Sequence, residues 1–330
     1  MSLAQSRLSS RTNLRLWNLV ALFTGMFLTM SAVYYNHEGL FFSIDKAMNH
    51  PGSTGAFGHR LLFIGVAWLF KLAIPGLSAR RYFEMSQVVA TIFTFLVMRA
   101  WVRNFASEEW EWLSHLLLGL MFVPVMIYHN FHDISVVGFY AACLMLLFRR
   151  RFVPYILVYS LGLWNHEVLS MVTGVAVVCL WLEGERKKAI VIGAIQIAIF
   201  VLYRLAVEFF LPGDKVVAVG LAQNLRPIAT YGFKNLVFAG LKLVLPVAAA
   251  ALSYRYAPRF LKIALLVQFA ALFVGTVLYG RLDESRQWNT MFAIIVPMAV
   301  IFVQMIVRGS EPVAAEVDNA RERLSEATAD

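Results

Sequence analysis

Charge is scarce in this sequence. Only 15% of its 330 residues are Asp, Glu, Lys or Arg, and 60% are hydrophobic. A soluble globular chain carries about 25% charged residues, so this composition excludes an ordinary soluble domain. The formal charge of +9 comes from short basic groups between apolar runs, which argues against nucleic acid as a partner. The sequence therefore predicts an integral membrane protein whose basic groups follow membrane topology.

Cysteine is scarce as well, and barrel-type alternation is missing. The two cysteines, Cys143 and Cys179, lie inside apolar runs, which predicts reduced packing residues and no disulfide framework. Because no segment alternates apolar and polar residues as a barrel strand does, the membrane spans are predicted to be helices. No internal repeat and no second domain are visible.

The apolar runs approach the length of a hydrocarbon core, which takes about 20 helical residues. The clearest runs are 16–35, 134–148, 168–182, 189–210, 236–252, 263–279 and 291–307. They predict an all-α, polytopic membrane helix bundle of about ten transmembrane helices. We expect a cytoplasmic segment 1–15, one transmembrane domain 16–308 and a polar cytoplasmic tail 309–330. The first run is too long for a signal peptide and is interpreted as a retained anchor.

One segment, "RLLFIGVAWLFKLAIP" at 60–75, is apolar but too short for a straight span. If it crossed, the basic groups 149–151 and 186–188 would face outward, against the positive-inside rule. We therefore place it as an interfacial helix in a first outer loop, 36–82, with both termini cytoplasmic. This choice leaves Arg80 and Arg81 on the outer face, a smaller violation of the positive-inside rule that an interfacial anchor could explain.

With ten spans, the short polar stretches all lie on the outer face. Their ionisable residues are candidates for function, because such groups at a membrane edge are costly unless paired or solvated. The candidates are Glu38, Asp45, His59, Arg60, His132, Asp133, His166, Glu167, Arg204, Lys242, Arg281, Glu284 and Arg286.

Structural roles compete with functional ones at several of these positions. Asp45 and Asp133 are also explained as helix termini, and Asn165 as an N-cap. Arg204 lies four residues before Glu208, which is the spacing of an ion pair on a helix. Lys242 lies just below the outer end of its span, where a lysine can extend its ammonium group to the membrane surface. The "HNFHD" stretch at 129–133 lacks a zinc signature such as HExxH, which argues against a metal site there.

The order of these features resembles the GT-C superfamily of polytopic glycosyltransferases. Four stretches carry the resemblance: "GHRLLFIGVAWLF", "HNFHDISVVGFYAACLMLLFRRR", "GLWNHEVLSMVTG" and "GRLDESRQWNTMFAIIVP". It extends to about Val307 and is closest to the small bacterial type. It implies transfer of a hexosyl or pentosyl group from a polyprenyl-phosphate-linked donor to a glycan, lipid or protein acceptor. The reaction would serve cell-envelope polysaccharide synthesis at the outer face of a bacterial inner membrane, with membrane lipids as further partners.

The resemblance also implies roles for the candidates. Asp45 occupies the position of the first-loop acid, the catalytic base, with Glu38 in reserve. Phosphate binding falls to Arg60, Arg281 and Arg286, with Lys242 and Arg204 behind them. The sugar or acceptor site would be lined by His132, Asp133, His166, Glu167 and Glu284, and His59 is a further substrate-binding candidate. No cofactor is firmly implied, and a divalent metal is compatible with the pattern.

Two departures from the family leave the base and the reaction open: the chain has no soluble outer domain, and no Asp-x-Asp pair in the first loop. A transporter or flippase for a lipid-linked or anionic substrate is the main alternative, since Pro124, Pro246 and Pro297 could break helices as transporters do. A polysaccharide polymerase or ligase shares the same leaving-group chemistry. A purely structural membrane partner would leave the one-sided charges unexplained.

Overall fold

The computed structural model describes residues 3–35, 48, 61–125, 133–210, 232–279 and 285–308. Its α-helices, numbered here in chain order, are α1 (Leu3–Tyr35), α2 (Leu61–Ala73), α3 (Ala79–Val102), α4 (Glu111–Phe122), α5 (Asp133–Phe148), α6 (Phe152–Leu163), α7 (Val172–Leu182), α8 (Arg186–Phe210), α9 (Gly232–Tyr254), α10 (Arg259–Tyr279) and α11 (Phe292–Arg308). Short 3-10 helices cover Glu108–Trp110, Glu167–Met171 and Ser285–Met291. No strand occurs within these ranges.

Five helical stretches are long and apolar enough to cross a membrane. They are Thr12–Tyr34, Ala79–Val102, Arg186–Phe210, Arg259–Val277 and Trp288–Arg308. This confirms the prediction of a helical fold, with several helices long and apolar enough to span a membrane. The count of about ten spans and the orientation of the termini stay predictions.

Several of the remaining helices are too short to cross a bilayer. At 1.5 Å per residue, the 12 residues of α4 and of α6 measure about 18 Å each, and the 16 residues of α5 about 24 Å. A hydrocarbon core is about 30 Å thick. One end of each short helix is therefore expected to lie inside the depth that the long helices span.

The turns at one end of the bundle hold most of the ion pairs among the residues that the structure describes. Glu111, which is 1% exposed, pairs with Arg99 and Arg103, and the hydrogen bond from Arg103 to Glu111 raises the pKa of that arginine. Arg308 pairs with Glu109 in the same region. We call the turns 103–110, 149–151, 183–185 and 255–258, together with Arg308, the basic end.

Two consecutive turns of the basic end share one helix-ending geometry. After α5, the Arg151 amide donates to the Leu146 carbonyl, and after α7 the Glu185 amide donates to that of Leu180, the 6→1 bond of a Schellman motif. Gly184 takes the left-handed position in the second turn, whereas Arg150 takes it in the first, at φ 58°. Arg150 pairs with both Glu183 and Glu185, so it joins the two turns.

Glycine allows α1 and α4 to approach closely. A Cβ atom added to Gly119 would lie 2.8 Å from the Cα of Gly25, closer than real Cβ contacts. Small residues of this kind let membrane helices pack backbone to backbone. The α1–α4 pair consequently forms one of the closest helix crossings of the bundle.

α3 and α5 run in the same direction and reach the basic end together. The Thr94 hydroxyl donates to the Ile134 carbonyl at 2.8 Å, and further along Trp101 packs on Phe148 at 5.8 Å. α3 begins 15 residues before Thr94, so about 22 Å of this helix extends beyond the start of α5.

The short helix α2 is attached at both of its ends. The Leu62 amide donates to the Trp164 carbonyl at 2.9 Å, which fixes its start beside the end of α6. After its last turn, the Tyr82 hydroxyl donates to the Ile74 carbonyl at 2.9 Å. Phe63 and Phe83 pack edge to face, 5.3 Å apart. The segment predicted to be an interfacial helix is thus helical; whether it lies along the interface is still a prediction.

Candidate functional site

Three helix ends meet on the side of the bundle away from the basic end. The Ser135 hydroxyl, in the first turn of α5, donates to Oδ1 of Asn165 after α6, at 2.9 Å. Nδ2 of Asn289, just before α11, lies 3.5 Å from Oδ2 of Asp133, the first residue of α5. These residues and Thr290 are 1–6% exposed. We call Asp133, Ser135, Asn165, Asn289 and Thr290 the helix-end cluster.

A second set of polar residues supports the cluster from the bundle interior. Nε2 of Gln268, on α10, donates to the Thr290 hydroxyl at 2.9 Å, and the Tyr140 hydroxyl of α5 donates to Oε1 of Gln268. Gln268 and Tyr140 are fully buried. Because a buried polar group is costly without a partner, these bonds fix the side-chain orientation of Gln268 and Thr290.

The cluster lies well below the ends of the longest helices. α3 continues about 22 Å beyond the level of Thr94 and Ile134, as described above. On the other side, Tyr203 of α8 packs on Trp164 at 5.2 Å, and α8 continues from there to Phe210, a further 10 Å or so. The polar cluster therefore lies below the level that the ends of α3 and α8 reach.

One polar atom of the cluster has a buried position and no hydrogen bond. Within the described part of the chain, Oδ1 of Asn289 has no donor near it, while the Nδ2 of the same amide faces Asp133. An unsatisfied acceptor in a buried cluster is energetically unfavourable. Oδ1 of Asn289 is therefore suited to accept a hydrogen bond from a donor group on a ligand.

His166 and Glu167 lie directly beside the cluster. Nδ1 of His166 accepts a hydrogen bond from the Val168 amide at 3.1 Å, so the neutral imidazole carries its proton on Nε2. The nearest Glu167 oxygen is 3.4 Å from the same Nδ1. His166 caps the 3-10 helix Glu167–Met171, and the prediction that Asn165 is the N-cap is wrong. The Asn165 side chain instead accepts a hydrogen bond from the Ser135 hydroxyl.

Arg204 and Lys242 lie on the flanks of the bundle. Arg204 is exposed and follows Tyr203, the residue that packs on Trp164. Lys242 is half-buried on α9 and precedes Leu243, which lines an apolar groove together with Trp288. Neither cation is among the residues of the helix-end cluster, so their predicted roles at a phosphate stay untested.

The remaining predicted site residues lie outside the described residues. They are Glu38, Asp45, His59, Arg60, His132, Arg281 and Glu284. Arg286 lies in the 3-10 helix Ser285–Met291, and only its backbone is described. Leu62, two residues after Arg60, is bonded to Trp164 next to the cluster. The described chain that begins at Leu61 therefore starts close to Asn165.

Sequence reasoning missed Ser135, Asn289, Thr290, Gln268 and Tyr140. The available signal was weak, because each is a single uncharged polar residue within or beside an apolar run. Ionisable groups drew attention by their cost in a membrane, whereas hydroxyl and amide groups are common in transmembrane helices.

An apolar groove of about 330 Å³ lies between α9, α10 and α11. Trp288 lines it beside the helix-end cluster, and Tyr254 lines it near the basic end. Between them its walls include Pro246, Phe269 and Ile295. The groove is thus an apolar channel that runs from the cluster toward the basic end.

No three or more His, Cys, Asp or Glu side chains come together as a metal site in the ranges that the structure describes. Comparison with known protein families, curated proteins and solved structures finds no match to this chain. What the chain does is therefore inferred from its own residues.

Proposed function

We propose that this protein is a membrane glycosyltransferase of the GT-C type, which transfers a hexosyl or pentosyl group from a polyprenyl-phosphate donor. The acceptor is a glycan, lipid or protein. The observation that carries the proposal is the helix-end cluster, a buried polar site below the level that the ends of the longer apolar helices reach. A sugar has many hydroxyl groups, and amide, hydroxyl and carboxylate side chains are the groups that bind them.

The apolar groove supports a lipid-linked donor. It starts at Trp288, whose neighbour Asn289 belongs to the cluster, and it is lined by apolar side chains toward Tyr254. A donor with its sugar at the cluster has an apolar path for part of its chain in this groove. A free nucleotide sugar would gain nothing from it.

The chemistry needs few groups. A sugar on a lipid phosphate already carries a good leaving group, so a carboxylate must take the acceptor's proton while cations hold the departing phosphate. In this proposal Asp45 is the base, with Glu38 in reserve, and Arg60, Arg281 and Arg286 hold the phosphate. His166 and Asp133 line the sugar or acceptor site.

The proposed topology has ten spans with both termini in the cytoplasm of a bacterium and the site facing away from it. The basic end is then cytoplasmic, as the positive-inside rule requires. Ion pairs of Glu111, Arg150 and Arg308 join the turns at that end. In this topology the candidate site lies nearer one face of the membrane, which suits a transferase better than a transporter, since a transporter needs access from both sides.

The test is turnover of a panel of polyprenyl-phosphate sugars by the purified protein in lipid nanodiscs with a glycan acceptor from the cell envelope, measured as released polyprenyl phosphate. We expect the wild type to turn over at least one donor and Asp45→Asn to lose about 10²–10⁴-fold, the usual contribution of a general base. Asp133→Asn should lower the rate at least tenfold. Glu109→Gln, an exposed acid at the basic end, should leave it unchanged. Absence of turnover with every donor, with and without divalent metal, would contradict the proposal.

A further inference from the structure

A second groove lies on the membrane-facing surface at the basic end, between α6 and α8. It encloses about 540 Å³ and is lined by apolar side chains, among them Val153, Leu157 and Val191. These three are 75%, 60% and 56% exposed, so no described part of the protein covers them. In a membrane-spanning bundle such side chains face lipid.

Two lysines close the groove at the basic end. Lys187 and Lys188 are the charged residues among its lining. The Lys188 ammonium is held 2.7 Å from Oε2 of Glu185 and lies 5.9 Å from the centre of the Phe152 ring, which lines the groove. Glu185 is in turn paired with Arg150. Lys188 is therefore fixed at the mouth rather than free to extend into water.

The mouth has an excess of positive charge. The cations there are Arg150, Arg151, Arg186, Lys187 and Lys188, and the carboxylates are Glu183 and Glu185, which leaves three net positive charges. Both carboxylates are engaged with Arg150. Lys187 is exposed and makes no ion pair within the described residues, so its charge is available to a ligand.

We propose that this groove binds one anionic phospholipid from the leaflet at the basic end. The phosphate is held by Lys187 and Lys188, and an acyl chain lies along the exposed apolar side chains of α6 and α8. Basic pockets between transmembrane helices bind anionic headgroups in this way. A zwitterionic lipid fills the same groove but gains no net charge attraction. The proposal does not depend on the glycosyltransferase activity.

The test is native mass spectrometry of the purified protein with phosphatidylglycerol or phosphatidylcholine of identical acyl chains. We expect at least fivefold greater retention of phosphatidylglycerol. Lys187→Gln should lower that preference, and Lys187→Gln with Lys188→Gln should abolish it. Lys262→Gln is the matched control, because Lys262 lies at the same end but donates to the Arg255 carbonyl, away from the groove.

Two further measurements distinguish binding of the lipid headgroup from binding of the acyl chain. Val191→Trp fills the groove at an exposed position and should reduce retention of both lipids. Water-soluble glycerol phosphate should not compete with phosphatidylglycerol at equal concentration. Equal retention of the two lipids by the wild type, or an unchanged preference in the double lysine variant, would overturn the proposal. Competition by glycerol phosphate would also overturn it, since the site would then bind the anion alone. Size-exclusion profiles confirm that each variant is folded.

Discussion

The Ser135 hydroxyl donates a 2.9 Å hydrogen bond to the side-chain carbonyl of Asn165, across the junction of two short helices. Ser135 lies in the first turn of α5 and Asn165 follows α6, and both are almost fully buried. The bond joins two helix ends that stop short of the bilayer thickness. Together with the Asp133–Asn289 contact, it gives the candidate site its fixed geometry.

Removal of this bond should weaken the fold, and the effects of substituting Ser135 and Asn165 should be coupled. We expect Ser135→Ala and Asn165→Ala each to lower the free energy of unfolding by about 1 kcal/mol, since hydrogen bonds between membrane helices contribute about 0.6–2 kcal/mol. The double variant should lose less than the sum of the two, because the bond is lost only once. Chemical unfolding in mixed micelles measures all three. Strict additivity would show that the bond contributes nothing.

The crossing of α1 and α4 should not accept even a methyl group. In Gly119→Ala the new Cβ atom meets the Gly25 backbone, which cannot rotate away, so we expect a loss of about 1–3 kcal/mol in unfolding free energy. Gly240→Ala is the control, because nothing lies within 4 Å of its added Cβ. That helical position should gain up to about 1 kcal/mol. Similar stability changes in both variants would contradict the close crossing.

Two substitutions of Arg150 separate the contribution of its ion pairs to stability from the cost of its left-handed backbone conformation. Arg150→Ala and Arg150→Gly both remove the ion pairs with Glu183 and Glu185, but only glycine adopts φ 58° without strain. The glycine variant should therefore be more stable than the alanine variant by about 1–2 kcal/mol. Thermal unfolding of the two variants checks this. Equal stability would mean that the turn relaxes when the ion pairs are lost.

Access to the helix-end cluster should come from one side of the membrane. With Cys143 and Cys179 replaced by alanine, Asn289→Cys provides a single thiol in the cluster. A membrane-impermeant thiol reagent should label it from the side opposite the basic end, in inverted and right-side-out vesicles compared directly. Labelling from both sides at similar rates is the result expected of a transporter.

The helical spans could be predicted from sequence because hydrophobicity over 15–20 residues determines them. The predicted run 263–279 lies within α10, Arg259–Tyr279, and the run 291–307 corresponds closely to α11. Asp133, His166 and Glu167 were predicted as site candidates from sequence, since ionisable groups at the ends of apolar runs are rare. The structure places Asp133 in the helix-end cluster and the other two beside it, and their roles stay predictions. The depth of the site could not be predicted, because helix length alone does not reveal that α5 starts level with Thr94, in the middle of α3.

The uncharged members of the site were missed for a related reason. Gln268 and Tyr140 come from helices far apart in the chain, and their hydrogen bond depends on how α5 and α10 pack. A single glutamine in an apolar run is compatible with a packing role or a functional one. Only the three-dimensional contacts show that Gln268 donates a hydrogen bond to Thr290 of the helix-end cluster from the bundle interior.

The most direct test of the central claim is the chemical fate of the donor lipid. Reconstituted protein is incubated with a polyprenyl-phosphate sugar and a glycan acceptor from the cell envelope, and the lipid products are resolved by mass spectrometry. The proposed transferase yields polyprenyl monophosphate without its sugar, in amounts equal to the glycosylated acceptor, and Asp45→Asn yields neither. Intact donor that has only moved to the other leaflet would contradict a transferase and establish a flippase.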